Sequence, residues 1–261
     1  FAAGRGTAIG LAVLDRETGA YADNGPAAHT QVGSASIVKL FIADSMLHRA
    51  ALGQLSLDRA TLDSLGLMLR SSDDPAASRL WSRYGGSWIV TDVAARYGLT
   101  ETAPPANPRY WGTTRITAHD IARFYTGMLA GAGGLPPAAR DVIVEHLRSA
   151  TPRGTDGFYQ WFGLRDGLPR EPWIGVKQGW MCCFDGVVVR HSTALVGPES
   201  RFVVVALAQG PSRAGGQHTE GSLTGAVQRM FPEGYVRGRP PSTLIGRAWF
   251  GQGGPAGRLG A

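Results

Sequence analysis

Apolar positions follow two different periods along the chain, and each change of period marks an element. Thr7–Leu14 is an almost continuous apolar run, stopped by Asp15-Arg16-Glu17-Thr18-Gly19. Ala20–Asn24 returns as a second extended segment, which predicts an opening hairpin. From Ser36 the spacing turns helical, with Ile37, Leu40, Phe41, Met46 and Leu47 on one broad face. Helical spacing recurs around 59–70, 75–84, 87–96, 117–130 and 136–149, and Thr117 reads as an N-cap with Asp120 three residues on. After Arg170 strand character resumes. Trp173–Cys183 and Val187–Val196 face each other across an Asp185-Gly186 turn, and Phe202–Ala208 follows Gly197-Pro198-Glu199-Ser200. A last helix is expected at about 222–230, ahead of Pro232.

Strands near both ends with helices between them predict an α/β (α+β) fold. One antiparallel sheet is built from both chain termini, flanked by helices, and carries an inserted all-helical lobe. We expect a single domain over 1–231, with a sheet lobe at about 1–35 and 170–231 and a helical lobe at about 36–169. The stretch 232–261 is rich in Gly, Pro and Arg and has no sustained period, so a tail lying on the surface or mobile is expected there.

The 261 residues are 43% hydrophobic and 18% charged, the balance of a soluble globular protein with a sizeable core. No apolar run approaches the roughly 18 residues that read as a membrane span. A start at Phe1 rather than Met suggests a processed or truncated chain with a signal or lipid-anchored segment upstream; an exported protein of the cell envelope or a periplasm-like space is expected. The formal charge of +6 raises the question of nucleic acid. Its basic residues, however, are mostly Arg and dispersed, without the runs that track phosphates, so nucleic acid is not an expected partner; attraction to an anionic cell wall is. Cys182 and Cys183 are adjacent, and in a regular strand their side chains point to opposite faces. A bridge needs particular separations and torsions, so two buried free thiols are expected, with a vicinal disulfide as the alternative. The six histidines are scattered, with neither a second Cys pair nor His-x-x-x-His spacing. Neither a metal nor another cofactor is therefore expected.

Three short motifs carry chemistry. In Ser36-Ile37-Val38-Lys39, helical spacing brings an amine toward a hydroxyl at the positive end of a helix, where developing negative charge is favoured. Ser72-Asp73-Asp74 lies between two helices, and Lys177-Gln178-Gly179 lies in the strand after the helical lobe, with a glycine that permits close backbone approach. Taken singly, each also reads as ordinary structure. Ser36 suits an N-cap, Asp74 before Pro75 suits another, and Lys177 with Gly179 suits an edge strand with a bulge.

Their order changes the picture. The set resembles the Ser-x-x-Lys, Ser-Asp-Asn and Lys-Thr-Gly motifs of class A β-lactamases and penicillin-binding proteins. The likeness runs over about residues 7–231 and includes Gln31–Leu40, Met68–Ala77, Thr113–Ala122 and Trp173–Trp180. Within that superfamily the chain is most similar to the mycobacterial LppW-type β-lactamase-like lipoproteins, above all over Val176–Cys183. The resemblance implies that Ser36 is acylated with Lys39 assisting, that Ser72 shuttles a proton to the leaving group, and that Lys177 adds positive potential. It makes the backbone N–H groups of Ser36 and Trp180 the oxyanion hole, and it places Asp74, Gln178, Gly179 and Trp180 in the substrate site. The implied partners are β-lactams, peptidoglycan-peptide-like small molecules or the cell wall, met by a monomer.

Three departures stand against the family pattern. Asp74 replaces an asparagine that donates a hydrogen bond, whereas a carboxylate only accepts. Gln178 replaces a compact hydroxyl. In the stretch Gly98–Pro108, which corresponds to the omega loop, the deacylating glutamate's position falls near Pro108, and Glu101 is the local carboxylate, several residues away. Losing a positioned general base costs about 10²–10⁴ in rate. The expectation is a serine hydrolase that acylates at Ser36 with weak or no β-lactam turnover. A catalytically inactive peptidoglycan- or protein-binding module and a genuine class A-like β-lactamase are the alternatives.

Overall fold

The computed structural model describes residues 1–184 and 186–238, together with the backbone of 245–246. The chain opens with β1 (Ala8–Asp15) and β2 (Tyr21–Asp23), the expected hairpin, and then β3 (Val32–Gly33). A 3₁₀ turn, Ala35–Val38, leads into α1 (Lys39–Ala51), followed by α2 (Arg59–Arg70), α3 (Asp74–Tyr84) and α4 (Ser87–Tyr97). After a long loop come β4 (Arg115–Ile116), α5 (Ala118–Ala130), α6 (Pro137–Arg148) and the one-turn α7 (Leu164–Gly167). Strands β5 (Ile174–Phe184), β6 (Val187–Val196) and β7 (Phe202–Pro211) return to the sheet, and α8 (Gly216–Met230) and β8 (Ile245–Gly246) complete the described elements.

The sheet is antiparallel, in the order β5-β6-β7-β1-β2-β8, so strands from both ends of the chain meet at its centre. There β1 pairs with β7 from Ala8↔Gln209 to Asp15↔Phe202. Both strands read as continuous apolar runs because both faces of the sheet are covered. Along β7 the side chains alternate with period two. Val203, Val205 and Leu207 join Leu40, Phe41 and Phe124 of the helical side, while Val204 joins Leu164 and Val227 on the opposite face. Helix α1 is buried from Lys39 to Leu47, which explains an apolar pattern wider than that of a surface helix. Its one buried acid, Asp44, is satisfied from α4 by Arg96 and by the Tyr97 hydroxyl at 2.6 Å.

Several boundaries differ from the sequence expectation for identifiable reasons. Helix α8 begins at Gly216 rather than about 222, because its first turns bury Thr219 and Ser222 among glycines and offer no apolar stripe. The N-cap of α3 is Asp73, whose carboxylate accepts the Ala76 N–H at 2.6 Å; Asp74 is thereby released from the capping role expected of it. Thr117 caps α5 as expected, accepting from the Asp120 N–H at 3.0 Å.

The cysteines depart furthest. They are exposed and joined to each other in a disulfide, not buried as free thiols. Cys183 adopts φ 77° and the β5–β6 register slips between Cys182 and Phe184, so the opposite-face rule of a regular strand does not hold there. Of the expected Asp185-Gly186 turn, Asp185 lies outside the described residues. The stretch expected as a tail starts with Gly234 accepting the Arg170 N–H at 2.9 Å and Val236 donating to Glu171, and β8 pairs with β2. Residues 239–244 and 247–261 lie outside the described residues.

Candidate active site

Strand β3 is anchored before it delivers the 3₁₀ turn. His191, buried on β6, donates from Nε2 to the Gly33 carbonyl at 2.8 Å and accepts the Ala208 N–H at Nδ1. Burial pushes its pKa from 6.5 to about 4, in keeping with a neutral ring that both donates and accepts. Ala35 then takes φ 44°, a left-handed conformation uncommon for a residue with a side chain, and Ser36 follows it at the edge of a cleft. The turn is 3₁₀ rather than α-helical, so Lys39 is the first residue of α1.

Lys39 is fully buried, and its ammonium is directed past Ser36. It donates to the Ser72 carbonyl at 2.6 Å and to Asp74 Oδ1 at 2.5 Å, lies 3.3 Å from Ser72 Oγ, and sits 4.9 Å above the Trp111 ring. Among the described residues no hydrogen bond joins Lys39 to Ser36. Ser72 itself takes φ 53°, between α2 and α3, which turns its hydroxyl to the two lysines. From β5, buried Lys177 donates to Ser72 Oγ at 2.9 Å and to the Gln178 carbonyl at 3.0 Å. One hydroxyl thus lies between two amines. Burial, followed by the charge of Lys39, holds the Lys177 pKa well below its ordinary range. Burial also lowers that of Lys39, but there the Asp74 carboxylate pulls in the opposite direction.

Gly179 sits against the Ala35–Val38 turn. A Cβ on it would lie 3.0 Å from the Ser34 carbonyl oxygen and 3.2 Å from the Ser36 nitrogen, contacts that backbone atoms cannot relieve cheaply. The absent side chain brings β5 close to the backbone that precedes Ser36. Trp180, next in the strand, forms a wall of the cleft; its ring stacks on Phe158 at 4.9 Å and its Nε1 donates to Asp156 at 3.0 Å. The cleft encloses about 270 Å³, with Ser36, Asp74, Tyr110, Trp111 and Trp180 among its lining residues.

Ser36, Lys39, Ser72, Asp74, Lys177, Gly179 and Trp180 are therefore brought together. Gln178 is not. Its side chain is buried on the other face of β5, donating to the Phe162 carbonyl at 2.7 Å and accepting from Ser192 at 3.1 Å. Glu101 is also directed elsewhere, receiving His29 Nδ1 at 2.7 Å on one oxygen and Thr117 Oγ1 at 2.7 Å on the other. Pro108 offers its carbonyl to Trp81 Nε1, and the residues after it, Arg109, Tyr110 and Trp111, line the cleft. Among the described residues Asp74 is the one carboxylate of that lining.

Sequence reasoning missed the aromatic walls Tyr110 and Trp111, although two adjacent aromatics in a polar, proline-rich loop were a usable signal. It also missed His191 and Asp156, which no local pattern distinguishes. The described His, Cys, Asp and Glu side chains that converge closely enough to hold a metal do so outside the cleft, at Asp23, His29 and His119.

No protein-family model matches the chain. Solved structures do share its architecture. A β-lactamase from Chitinophaga pinensis superposes with a TM-score of 0.70 at 17% identity, covering 86% of this chain and 93% of that one. One from Xanthomonas campestris gives 0.69 at 21% identity over 87% and 92%. An ancestral class A β-lactamase gives 0.69 at 21% identity over 89% and 96%. The chain thus has the β-lactamase fold, around a cleft where a serine, two buried lysines and a second serine converge. At higher identity it matches proteins named lipoprotein LppW in Mycobacterium tuberculosis and Mycobacterium bovis, 44% identical over 236 residues, which cover 90% of this chain and 73% of theirs. The chain belongs to the LppW family.

Proposed function

We propose that the protein is an envelope acyl-transfer protein of the penicillin-binding type, in which Ser36 takes an acyl group and releases it slowly. The observation that carries this is the Ser72 hydroxyl held between Lys39 and Lys177, beside a Ser36 that opens on the cleft. Ser36 Oγ attacks the carbonyl carbon of a β-lactam or peptidoglycan-peptide-like amide and passes its proton to an unprotonated lysine. The C–N bond breaks, and Ser72 gives its proton to the leaving nitrogen and regains one from a lysine. The N–H groups of Ser36 and Trp180 receive the negative charge on the former carbonyl oxygen. Release needs an activated water, and among the described residues the cleft lining offers no carboxylate for that task except Asp74, which is paired with Lys39.

Asp74 also selects the substrate. Its carboxylate pairs with Lys39 Nζ, opposes the lowering of the Lys39 pKa by burial, and repels an anionic β-lactam. An acyl donor carrying its own amine would compete for Asp74 and return Lys39 to Ser36. Such donors occur among amine-bearing peptides of the kind found in a cell wall. Its relatives' name, lipoprotein, supports an exported, lipid-anchored location, and no helix among the described residues is long and apolar enough to cross a membrane.

The test is intact-mass and in-gel labelling with a fluorescent penicillin, against Ser36→Ala. A covalent adduct on the wild type alone is expected; no Ser36-dependent adduct with penicillins or activated esters overturns the proposal. One observation favours a different use of the cleft. Lys39 is bonded to Asp74 and not to Ser36, the arrangement of a non-catalytic module that binds cell-wall fragments or a protein. Fragment binding unchanged in Ser36→Ala, without any adduct on the wild type, would establish that alternative.

A further inference from the structure

Asp23, His29 and His119 are far apart in the chain. The end of β2, the 3₁₀ turn Gly25–His29 and the first turn of α5 nevertheless bring one ligand atom from each to within 4.8 Å of the others. The detailed geometry says more than proximity. His29 Nε2 stands 3.4 Å from Asp23 Oδ2. That is beyond a good N–H···O bond of about 2.7–3.2 Å. It is the separation of two ligands on a single tetrahedral ion with bonds of about 2.0–2.2 Å.

Both groups are also held from behind. His29 Nδ1 is bonded to Glu101 at 2.7 Å, and Glu101 is steadied by Thr117 Oγ1. A carboxylate on one imidazole nitrogen fixes the ring so that the other faces a metal, the arrangement of an outer-shell partner. Asp23 Oδ1 accepts the Gly25 N–H at 2.8 Å, which orients Oδ2 toward His29. The His29 and His119 rings lie 4.5 Å apart between centroids, tilted by 34°, and the Tyr21 hydroxyl meets His119 Nδ1 at 3.2 Å.

We propose that Asp23, His29 and His119 bind one divalent transition-metal ion of the zinc type, with Glu101 as the outer-shell carboxylate. Two imidazoles and a carboxylate suit such an ion; the all-oxygen sets of calcium or magnesium do not resemble them. The ion joins β2, the segment leading to Ser36 and the start of α5. Through Glu101 it also ties in the loop whose far end carries Tyr110 and Trp111. It is independent of whether Ser36 is acylated.

The experiment titrates zinc sulfate into the metal-stripped full chain against a chromophoric chelator. One ion is expected, bound with a dissociation constant of about 1 μM or tighter. His29→Gln and His119→Gln each weaken it by about 100-fold or more, Glu101→Gln by about 10–100-fold, and His218→Gln leaves it unchanged. Zinc raises the melting temperature of the wild type and not of His119→Gln. Wild-type binding no tighter than in both histidine variants, or loss of binding in His218→Gln, overturns the site. Cobalt(II) loaded into the wild type gives a readout that needs no variant. Intense tetrahedral d–d bands support the site, and the weak spectrum of hydrated cobalt overturns it.

Discussion

Asp74 is a largely exposed carboxylate 2.5 Å from the wholly buried Lys39 Nζ, and it stands where the Ser-Asp-Asn motif that the chain resembles has an asparagine. Burial already lowers the Lys39 pKa, and converting Asp74 to Asn removes a charge that opposes that lowering, so the pKa falls further. Lys39 is then free to lose its proton and turn to Ser36. Asp74→Asn is accordingly expected to speed Ser36 labelling by a fluorescent penicillin about 10²-fold, the lower end of what a positioned base contributes. A rate equal to or below wild type would show that the ion pair is not what restrains acylation. Gly179 makes a second prediction at this scale. In Gly179→Ala the new methyl meets Ser34 and Ser36 backbone at 3.0 and 3.2 Å, so urea unfolding should show a loss of about 1–3 kcal/mol and labelling should fall with it. Unchanged stability and labelling would mean that β5 moves aside without cost.

At the scale of elements, the Ala35–Val38 turn follows a short strand, β3, held by its pairing with β4 and by one neutral histidine. His191 has a folded-state pKa of about 4, below the 6.5 of an exposed ring. As pH falls through 6.5 the unfolded chain takes up the proton first. The contribution is therefore complete above that pH and is lost progressively as pH falls toward 4, at a cost of about 3 kcal/mol. Urea titrations at pH 7 and pH 4.5 should show this loss, and it should shrink in His191→Gln by more than the carboxylates common to both proteins explain. Equal pH slopes in the two proteins would remove His191 as the cause. How legible these elements were follows from how each is stabilised. Helix α2 was read at its true ends because an apolar face alternates with polar residues and Asp58 caps it. The start of α8 was hidden because its buried face is polar and glycine-rich, and the cysteine bulge was hidden because only a register slip with β6 creates it.

For the molecule as a whole, the two halves of the site come from opposite ends of the fold. The Ala35–Val38 turn, the start of α1 and the α2–α3 corner supply Ser36, Lys39, Ser72 and Asp74, and the edge strand β5 supplies Lys177, Gly179 and Trp180. The loop across the cleft contributes aromatics and Arg109 in place of a deacylating carboxylate. The acyl-enzyme should therefore outlast its formation by a wide margin. Nitrocefin turnover is expected far below the roughly 1–10³ s⁻¹ of ordinary enzymes, and steady hydrolysis within that range would mean that another group activates the water. From sequence alone came the alternation of strands and helices, the order of the three motifs and the absence of a glutamate near Pro108. These are local properties of period, spacing and residue type. Tertiary structure alone decided that Asp73 rather than Asp74 caps α3, that Lys39 bonds to Asp74 rather than to Ser36, and that Gln178 faces the interior. It also brought together Asp23, His29 and His119, where short-range spacing had offered no metal motif. All but the Asp73 cap, a contact within one turn, depend on which side chains converge from distant segments, and that is set by packing two layers on one sheet.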